Sequence, residues 1–194
     1  MTAKVLGILQ RNIRPNGLHH RNALPLTGYS RKDPDLSHNA NSVILLFEYG
    51  DWQFLDAADL SWNLEEKLVS PYNLVGEVDV YQVDHHGLDR SNNTHFIHSI
   101  KPTVAVMNNA HRKGTGPVTV AGLRSSPGIE AIYQVHKCTR DGEKHLNTEE
   151  EKIANLKSGE DCEGNHLFMS VAEDASSYSV TVPRTGHVGT YQTR

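Results

Sequence analysis

The sequence has few aromatic residues and only two cysteines, and it lacks both a long apolar run and an excess of basic charge. Aromatic residues make up 7% of its 194 residues. Two cysteines, Cys138 and Cys162, exclude a framework of several disulfides. The formal net charge of -4 argues against a protein that binds nucleic acid through general basicity, so we expect no strong nucleic-acid binding. No apolar run approaches the ~18 residues of a membrane span. The apolar run at 5–9 is too short for the hydrophobic core of a signal peptide, so no export signal is visible in the sequence.

What the sequence does contain is a large number of histidines, 12 in all. Histidine is the commonest metal ligand and the usual acid–base group near neutral pH. A chain of this length buries enough surface to form a core without disulfides. We predict a loop-rich segment over 1–40 with one possible strand at 5–9, followed by a domain over 41–194. The redox state of the two cysteines, free or joined in one bridge, and the cellular compartment stay open.

The hydrophobic pattern predicts an α/β fold in which helices cover a mixed sheet, because strands and helices alternate along the chain. Asn63 and Glu66 are expected to cap the first helix. The predicted strands cover 42–48 and 52–56 (a β-hairpin), 78–83, 103–107, 129–135, and a final hairpin at 167–171 and 178–182. The predicted helices cover 61–69, 93–100, 117–124 and 149–156, and 11–41 is predicted to be a long loop.

Two segments with chemically useful side chains follow neighbouring strands. Asp59 comes shortly after the strand 52–56, and Asp84-His85-His86-Gly87 follows the strand 78–83. Because a helix lies between the two strands, they are predicted to run in parallel and to end at the same edge of the sheet. Carboxylate oxygens and imidazole nitrogens are common ligands of zinc and similar ions. The structural alternative is that Asp56 and Asp59 cap the following helix, where the helix dipole favours an anion.

Four segments in this order resemble the metallo-β-lactamase fold. They are 41–46, 50–60, 78–87 and 102–108, and the resemblance covers about 41–109. The similarity is to the branch that contains the extracellular domain of competence-type DNA-uptake proteins. It implies a metal-dependent hydrolase with an αββα sandwich, in which metal-bound hydroxide attacks an ester, a phosphoester or an amide.

The resemblance assigns roles to three residues. Asp59 corresponds to the aspartate that bridges two metal ions, and His85 to the last histidine ligand, which makes these two the predicted catalytic residues. His86 is then a residue that supports the ligands or faces the substrate, or the ligand itself if the register differs by one. Ala58 stands where the family has glycine, so the turn before Asp59 must accept a Cβ atom.

The main departure from the family is that its upstream metal motif, His-x-His-x-Asp-His, does not occur in this sequence. The chain therefore resembles the C-terminal half of the family domain, as a fragment, a truncated reading frame or a degenerate member. The complete domain holds two ions of zinc or another divalent metal, and here we expect weak metal binding and little hydrolysis. The alternatives are a non-catalytic remnant or binding module that keeps the fold, and a disulfide-linked secreted interaction domain.

The basic segment His111-Arg112-Lys113 follows the strand 103–107 and is predicted to bind a small-molecule or anionic substrate at the rim of the site, the alternative being a plain basic loop. His19 and His20 are candidates for the missing ligands but are expected to be solvated in their loop. His95 and His98 are expected on one face of a partly exposed helix beside the site. No nucleophile elbow, P-loop or dinucleotide fingerprint is present. If half a sheet is missing, an apolar face around Ile44, Leu46 and Val104 is exposed, and a homo-oligomer is expected through it.

Overall fold

An eight-stranded mixed sheet forms the centre of the protein in a computed structural model that describes residues 1–17 and 19–194. One position of the predicted loop 11–41, Leu18, lies outside the described residues. The strands lie side by side in the order β2-β1-β3-β4-β5-β6-β7-β8. Their bounds are β1 Thr2–Ile8, β2 Arg11–Asn12, β3 Ile44–Tyr49, β4 Trp52–Asp56, β5 Val80–Gln82, β6 Val104–Met107, β7 Ala131–His136 and β8 Ile153–Asn155.

The sheet changes from antiparallel to parallel pairing at β4. β3 and β4 form the predicted antiparallel hairpin, with Leu46 opposite Leu55. From β4 to β8 the strands all run parallel to one another. Parallel neighbours need a crossover, and helices supply the first three of these connections. The helices are α1 Trp62–Val69, α2 Thr94–Ile100 and α3 Pro117–Arg124. All five parallel strands therefore end at one edge of the sheet, where the loops that follow them meet.

Each face of the sheet has its own hydrophobic core. Along β6, Ala105 and Met107 pack with the three helices, whereas Val104 and Val106 pack against a second sheet. Successive residues of a strand point to opposite faces, so a fully apolar strand such as β6 serves both cores. The second sheet is antiparallel and consists of β9 Phe168–Val171, β10 Ser177–Val182 and β11 His187–Gln192. The predicted α/β class, with helices covering a mixed sheet, is confirmed.

Two local predictions are wrong. The segment 149–156 is not an α-helix, because a short 3-10 turn leads directly into strand β8 beside β7. Asn63 does not cap α1: Ser61 occupies the N-cap position, and the Asn63 side chain instead contacts the preceding loop through Tyr29 and Lys32. Strand β11, which extends the final hairpin to three strands, was missing from the prediction.

The prediction of an exposed apolar face around Ile44, Leu46 and Val104 is also wrong. Each of these three side chains is at most 4% exposed. Ile44 and Leu46 belong to the helix-side core, and Val104 belongs to the core beneath the second sheet. The structure therefore offers no support for a homo-oligomer through that face. None of the helices in the described part of the chain has the length and apolarity that crossing a bilayer requires.

Candidate metal centre

Asp59, His85 and His86 meet at the edge where β4 and β5 end. The Nε2 atom of His85 lies 4.0 Å from Oδ2 of Asp59, and the Nε2 atom of His86 lies 3.8 Å from Oδ1. A backbone hydrogen bond of 2.9 Å from His85 N to the Ala58 carbonyl joins the two loops directly. The structure thus brings together the three side chains that the sequence predicted to share an edge of the sheet.

The backbone on both sides of this junction is strained. Ala58, His85 and His86 all have positive φ, at 54°, 51° and 61°. This left-handed region is unfavourable for residues with a Cβ atom and is found where the surrounding structure enforces it. The turn before Asp59 does accept the Cβ of Ala58, with its backbone N–H donating to the Asp56 carboxylate at 2.9 Å. Gly87 follows at φ 80°, where a Cβ atom would come within 2.6 Å of the Met107 sulfur.

Hydrogen bonds fix which nitrogen of His85 carries its proton. The Ser91 hydroxyl donates its single hydrogen to the Leu60 carbonyl at 2.6 Å, so its oxygen accepts from the Nδ1–H of His85 at 3.2 Å. The lone pair of His85 is therefore on Nε2, the atom that faces Asp59, where the Asn39 amide also approaches to 3.2 Å. Burial lowers the pKa of His85 below its ordinary value in spite of the opposing charge of Asp59, and Lys113 lowers it further, which favours the neutral imidazole.

His86 is held in the same tautomer. Its Nδ1–H donates to the carbonyl oxygen of Asn108 at 2.9 Å, which leaves the lone pair on Nε2 toward Asp59. Two imidazole lone pairs thus face one carboxylate, and the lone pair of His85 also accepts from the Asn39 amide. An imidazole whose second nitrogen donates to a protein oxygen is typical of metal-binding histidines. Each histidine therefore offers a ligand atom toward Asp59. In the described part of the chain, however, the ligand atoms of Asp59, His85 and His86 do not all lie within 4.8 Å of one another, so one ion bound by all three would require the side chains to move closer.

Two buried carboxyl groups, Glu65 and Asp84, lie beneath this site. Glu65 accepts hydrogen bonds from the backbone N–H groups of Asn92 and Asn93 at 2.6 and 2.9 Å, and burial raises its pKa to about 7. Neither oxygen of Asp84 has a hydrogen-bond partner among the described residues, which favours the protonated acid. Burial, and then the charge of Glu65, raise the pKa of Asp84 well above its ordinary value.

The raised pKa of Glu65 predicts that the metal-free protein loses stability as the pH rises from 4.5, the ordinary pKa of glutamate, to about 7. Across this interval the folded state binds more protons than the unfolded chain, so the free energy of unfolding falls as pH rises. The loss from this group is expected to reach roughly 3 kcal/mol. Glu65→Gln should remove this loss, because an amide does not titrate while its oxygen still accepts from the backbone of Asn92 or Asn93. Urea denaturation with a chelator present, at pH values spanning the interval, measures the effect.

The control for that experiment is Asp51→Asn, which changes an exposed aspartate in the turn between β3 and β4. This variant should keep the full pH dependence. A Glu65→Gln protein that loses as much stability as the parent chain between these pH values would contradict the raised pKa of Glu65.

The predicted substrate-binding segment divides between two places. Lys113 is exposed and close enough for its charge to act on His85, whereas Arg112 is exposed in the same loop. His111 instead faces His136, with its Nε2 3.1 Å from Nδ1 of that residue. Of the three residues predicted at the rim, Lys113 is therefore the one whose charge acts on the Asp59 site.

The remaining histidines singled out in the sequence lie elsewhere. On α2, His95 forms a hydrogen bond with the Ser70 hydroxyl, and His98 forms one with the carbonyl of Gly122 on α3. His19 accepts from a backbone N–H within its own loop, and it lines with His20 a large cavity near the start of β5. Both cysteines are free thiols, so the alternative of a disulfide-linked domain has no bridge to support it.

Sequence reasoning missed the residues that support the ligands. Asn39 and Ser91 contact His85 from a 3-10 turn before β3 and from the loop before α2, which no local pattern connects with β5. His136 was also missed, although it is the last residue of the parallel strand β7, and His85 likewise follows the end of a parallel strand, β5. Applying the strand-end rule to β7 would have found it.

Comparison with known proteins adds no relative from which a role could be transferred. No protein-family model matches this chain, and no curated protein matches it.

Proposed function

We propose that this protein binds a divalent metal ion through Asp59, His85 and His86 and acts as a metal-dependent hydrolase of the metallo-β-lactamase type. The main support is that two imidazole nitrogens, each with its lone pair fixed by a hydrogen bond on the other side of the ring, face one carboxylate. The order of segments along the sequence, from the first β-hairpin to β6, is the second support.

The donor set suits zinc or a similar ion. Zinc lies ~2.0–2.2 Å from nitrogen and carboxylate ligands, which places two ligands of one ion roughly 3–4 Å apart. The separations of 4.0 and 3.8 Å between Asp59 and the two histidines are of that size. Each carboxylate oxygen faces a different imidazole, which also suits a bridging carboxylate. A bound divalent ion would supply a water of lowered pKa and would polarise the scissile bond.

The protein's own residues orient the ligands and attract the substrate. Ser91 holds the ring of His85, and the Asn108 carbonyl holds that of His86. The exposed ammonium group of Lys113 provides positive charge beside the site, which favours an anionic substrate such as a phosphoester. Because the sequence lacks His-x-His-x-Asp-His, we expect weak metal binding and slow hydrolysis.

A non-catalytic metal-binding module is the second candidate. Catalytic zinc sites use three protein ligands and leave one position open. Asp59, His85 and His86 are three ligand types, but their ligand atoms are not all within 4.8 Å of one another. The missing upstream motif favours this candidate, because a second ion would need ligands from it.

Asp59→Asn is expected to weaken zinc binding at this site by more than about 100-fold, since even the loss of a residue behind a ligand costs 10–100-fold. Long-range proton–nitrogen NMR correlations of the His85 and His86 imidazoles measure zinc binding at this site specifically. In the parent chain, zinc should shift the Nε2 resonances of His85 and His86. The matched control is Asp51→Asn, which should leave those shifts unchanged.

Turnover separates the two candidates. Zinc-dependent hydrolysis of bis-p-nitrophenyl phosphate that disappears in Asp59→Asn would support the hydrolase. Zinc-induced shifts without turnover of this probe or of p-nitrophenyl acetate would contradict the hydrolase and leave the binding module. If zinc moves neither imidazole in the parent chain, both candidates fail.

A further inference from the structure

A second cluster of metal-binding residue types lies along the same edge of the sheet, beyond β6. One ligand atom from each of His111, His136 and Cys162 lies within 4.8 Å of the other two. His111 belongs to the loop after β6, His136 ends β7, and Cys162 belongs to the loop after β8. Three successive parallel strands thus bring together residues that are far apart in the sequence.

The two imidazoles of this cluster share one polar contact. The Nδ1–H of His111 donates to the Lys137 carbonyl at 2.9 Å, so its lone pair is on Nε2. That nitrogen lies 3.1 Å from Nδ1 of His136, with the rings inclined at 61°. Two nitrogens on one tetrahedral zinc ion lie about this far apart, since each is ~2.0–2.1 Å from the metal. One ion can therefore take the place of the proton between the rings when His136 carries its own proton on Nε2 instead of Nδ1.

The backbone around the two histidines is fixed by hydrogen bonds. Asn109 accepts from the backbone N–H of His136 at 3.2 Å and donates to its carbonyl at 2.5 Å. The His111 carbonyl accepts from Thr139 N at 2.9 Å. The backbone at both histidines is thus fixed independently of the contact between their rings.

The loop with the cysteine is tied to the end of β8. Asn155 donates to the carbonyl of Asn165 at 2.8 Å and accepts from its N–H at 2.7 Å, which closes the loop that contains Cys162. Cys162 is a free, half-buried thiol, whereas Cys138 is fully buried and also free. The thiol of Cys162 is therefore held beside two imidazoles and remains available for a metal.

We propose that His111, His136 and Cys162 form a transition-metal site of two nitrogens and one sulfur, separate from the Asp59 site. Imidazole and thiolate ligands favour zinc over magnesium or calcium, which prefer oxygen. The thiol loses its proton to the solvent as the metal–sulfur bond forms. Three protein ligands leave the fourth position of a tetrahedral ion open to water. This site depends on no role of Asp59 or His85.

Cobalt(II) binding to the full chain under reducing conditions tests the proposal. A thiolate ligand gives cobalt an intense near-ultraviolet charge-transfer band, which ligands without sulfur do not produce. We expect one equivalent of cobalt to produce this band in the parent chain. Cys162→Ser should abolish the band, and His136→Gln should weaken binding by more than about 100-fold, for the reason that applies to any direct ligand.

The matched control is Cys138→Ser, which removes the other thiol and should keep the band, as should Asp59→Asn. Far-ultraviolet circular dichroism checks that each variant is folded. His111→Gln is a second variant, beside His136→Gln, that removes an imidazole ligand and keeps the Cys162 thiol. The absence of a charge-transfer band at stoichiometric cobalt in the folded parent chain would overturn the proposal. A band that survives in Cys162→Ser would do so as well.

Discussion

Gly114→Ala is expected to destabilise the protein by about 3 kcal/mol or more, because this glycine is both left-handed and in contact with His86. Its φ is +86°, and a Cβ atom there would overlap the His86 carbonyl oxygen and come within 3.0 Å of the Cβ of Asn109. Both neighbours are constrained, since Asn109 holds the end of β7. The loop 108–116 must therefore move, and Lys113 must move away from the Asp59 site with it. Urea denaturation measures the loss of stability.

Gly142→Ala is the matched control for this substitution. Gly142 also has a left-handed backbone, at φ +78°, but nothing lies within 4 Å of the position that a Cβ would take. Gly142→Ala should be destabilised only by the cost of placing alanine in a left-handed backbone, about 1 kcal/mol. Equal losses in the two variants would show that the approach of Gly114 to His86 is not tight.

Asn92→Ala should cost about 3 kcal/mol, because it leaves several buried polar groups without partners. The Asn92 side chain accepts from the Tyr81 hydroxyl at 2.7 Å and donates to the carbonyls of Asp84 and Leu88 at 2.9 and 3.2 Å. It is fully buried, with φ at 63°. Alanine replaces none of these bonds and keeps the strained backbone. The free energy of unfolding from urea titration gives the result.

Asn108→Ala provides the comparison for Asn92→Ala, since Asn108 contributes its carbonyl oxygen to His86 while the residue is exposed. That variant should stay within about 0.5 kcal/mol of the parent chain. A loss below 1 kcal/mol for Asn92→Ala would mean that water replaces the bonds of this side chain, contrary to its burial.

The two proposed metal sites share the loop 108–116. This loop supplies the Asn108 carbonyl that orients His86, the Lys113 charge that acts on His85, and the imidazole of His111. Its end is anchored by Arg140, which donates to the carbonyls of Gly114 and Thr115 at 2.7 and 2.9 Å. A shift of the loop is therefore expected to disturb both sites at once.

The sequence alone determined the layered α/β arrangement and the position of the first site. A fully apolar strand such as β6 must be covered on both faces, and parallel strands joined by helices must end at one edge. These local rules predict that Asp59, His85 and His86 share one edge of the sheet, and in the structure each imidazole lies within 4.0 Å of the Asp59 carboxylate. The bounds predicted for the third helix, 117–124, match those of α3.

Only the tertiary structure decided which side chains orient these ligands and where the second cluster forms. Ser91, Asn39 and Cys162 reach their partners across loops whose paths no periodic pattern specifies. The strand β8 was predicted as a helix because its charged neighbours suggested an exposed face, whereas pairing with β7 outweighed that local preference. Hydrophobic periodicity thus locates the strand ends, but hydrogen bonds between distant loops determine the chemistry that meets there.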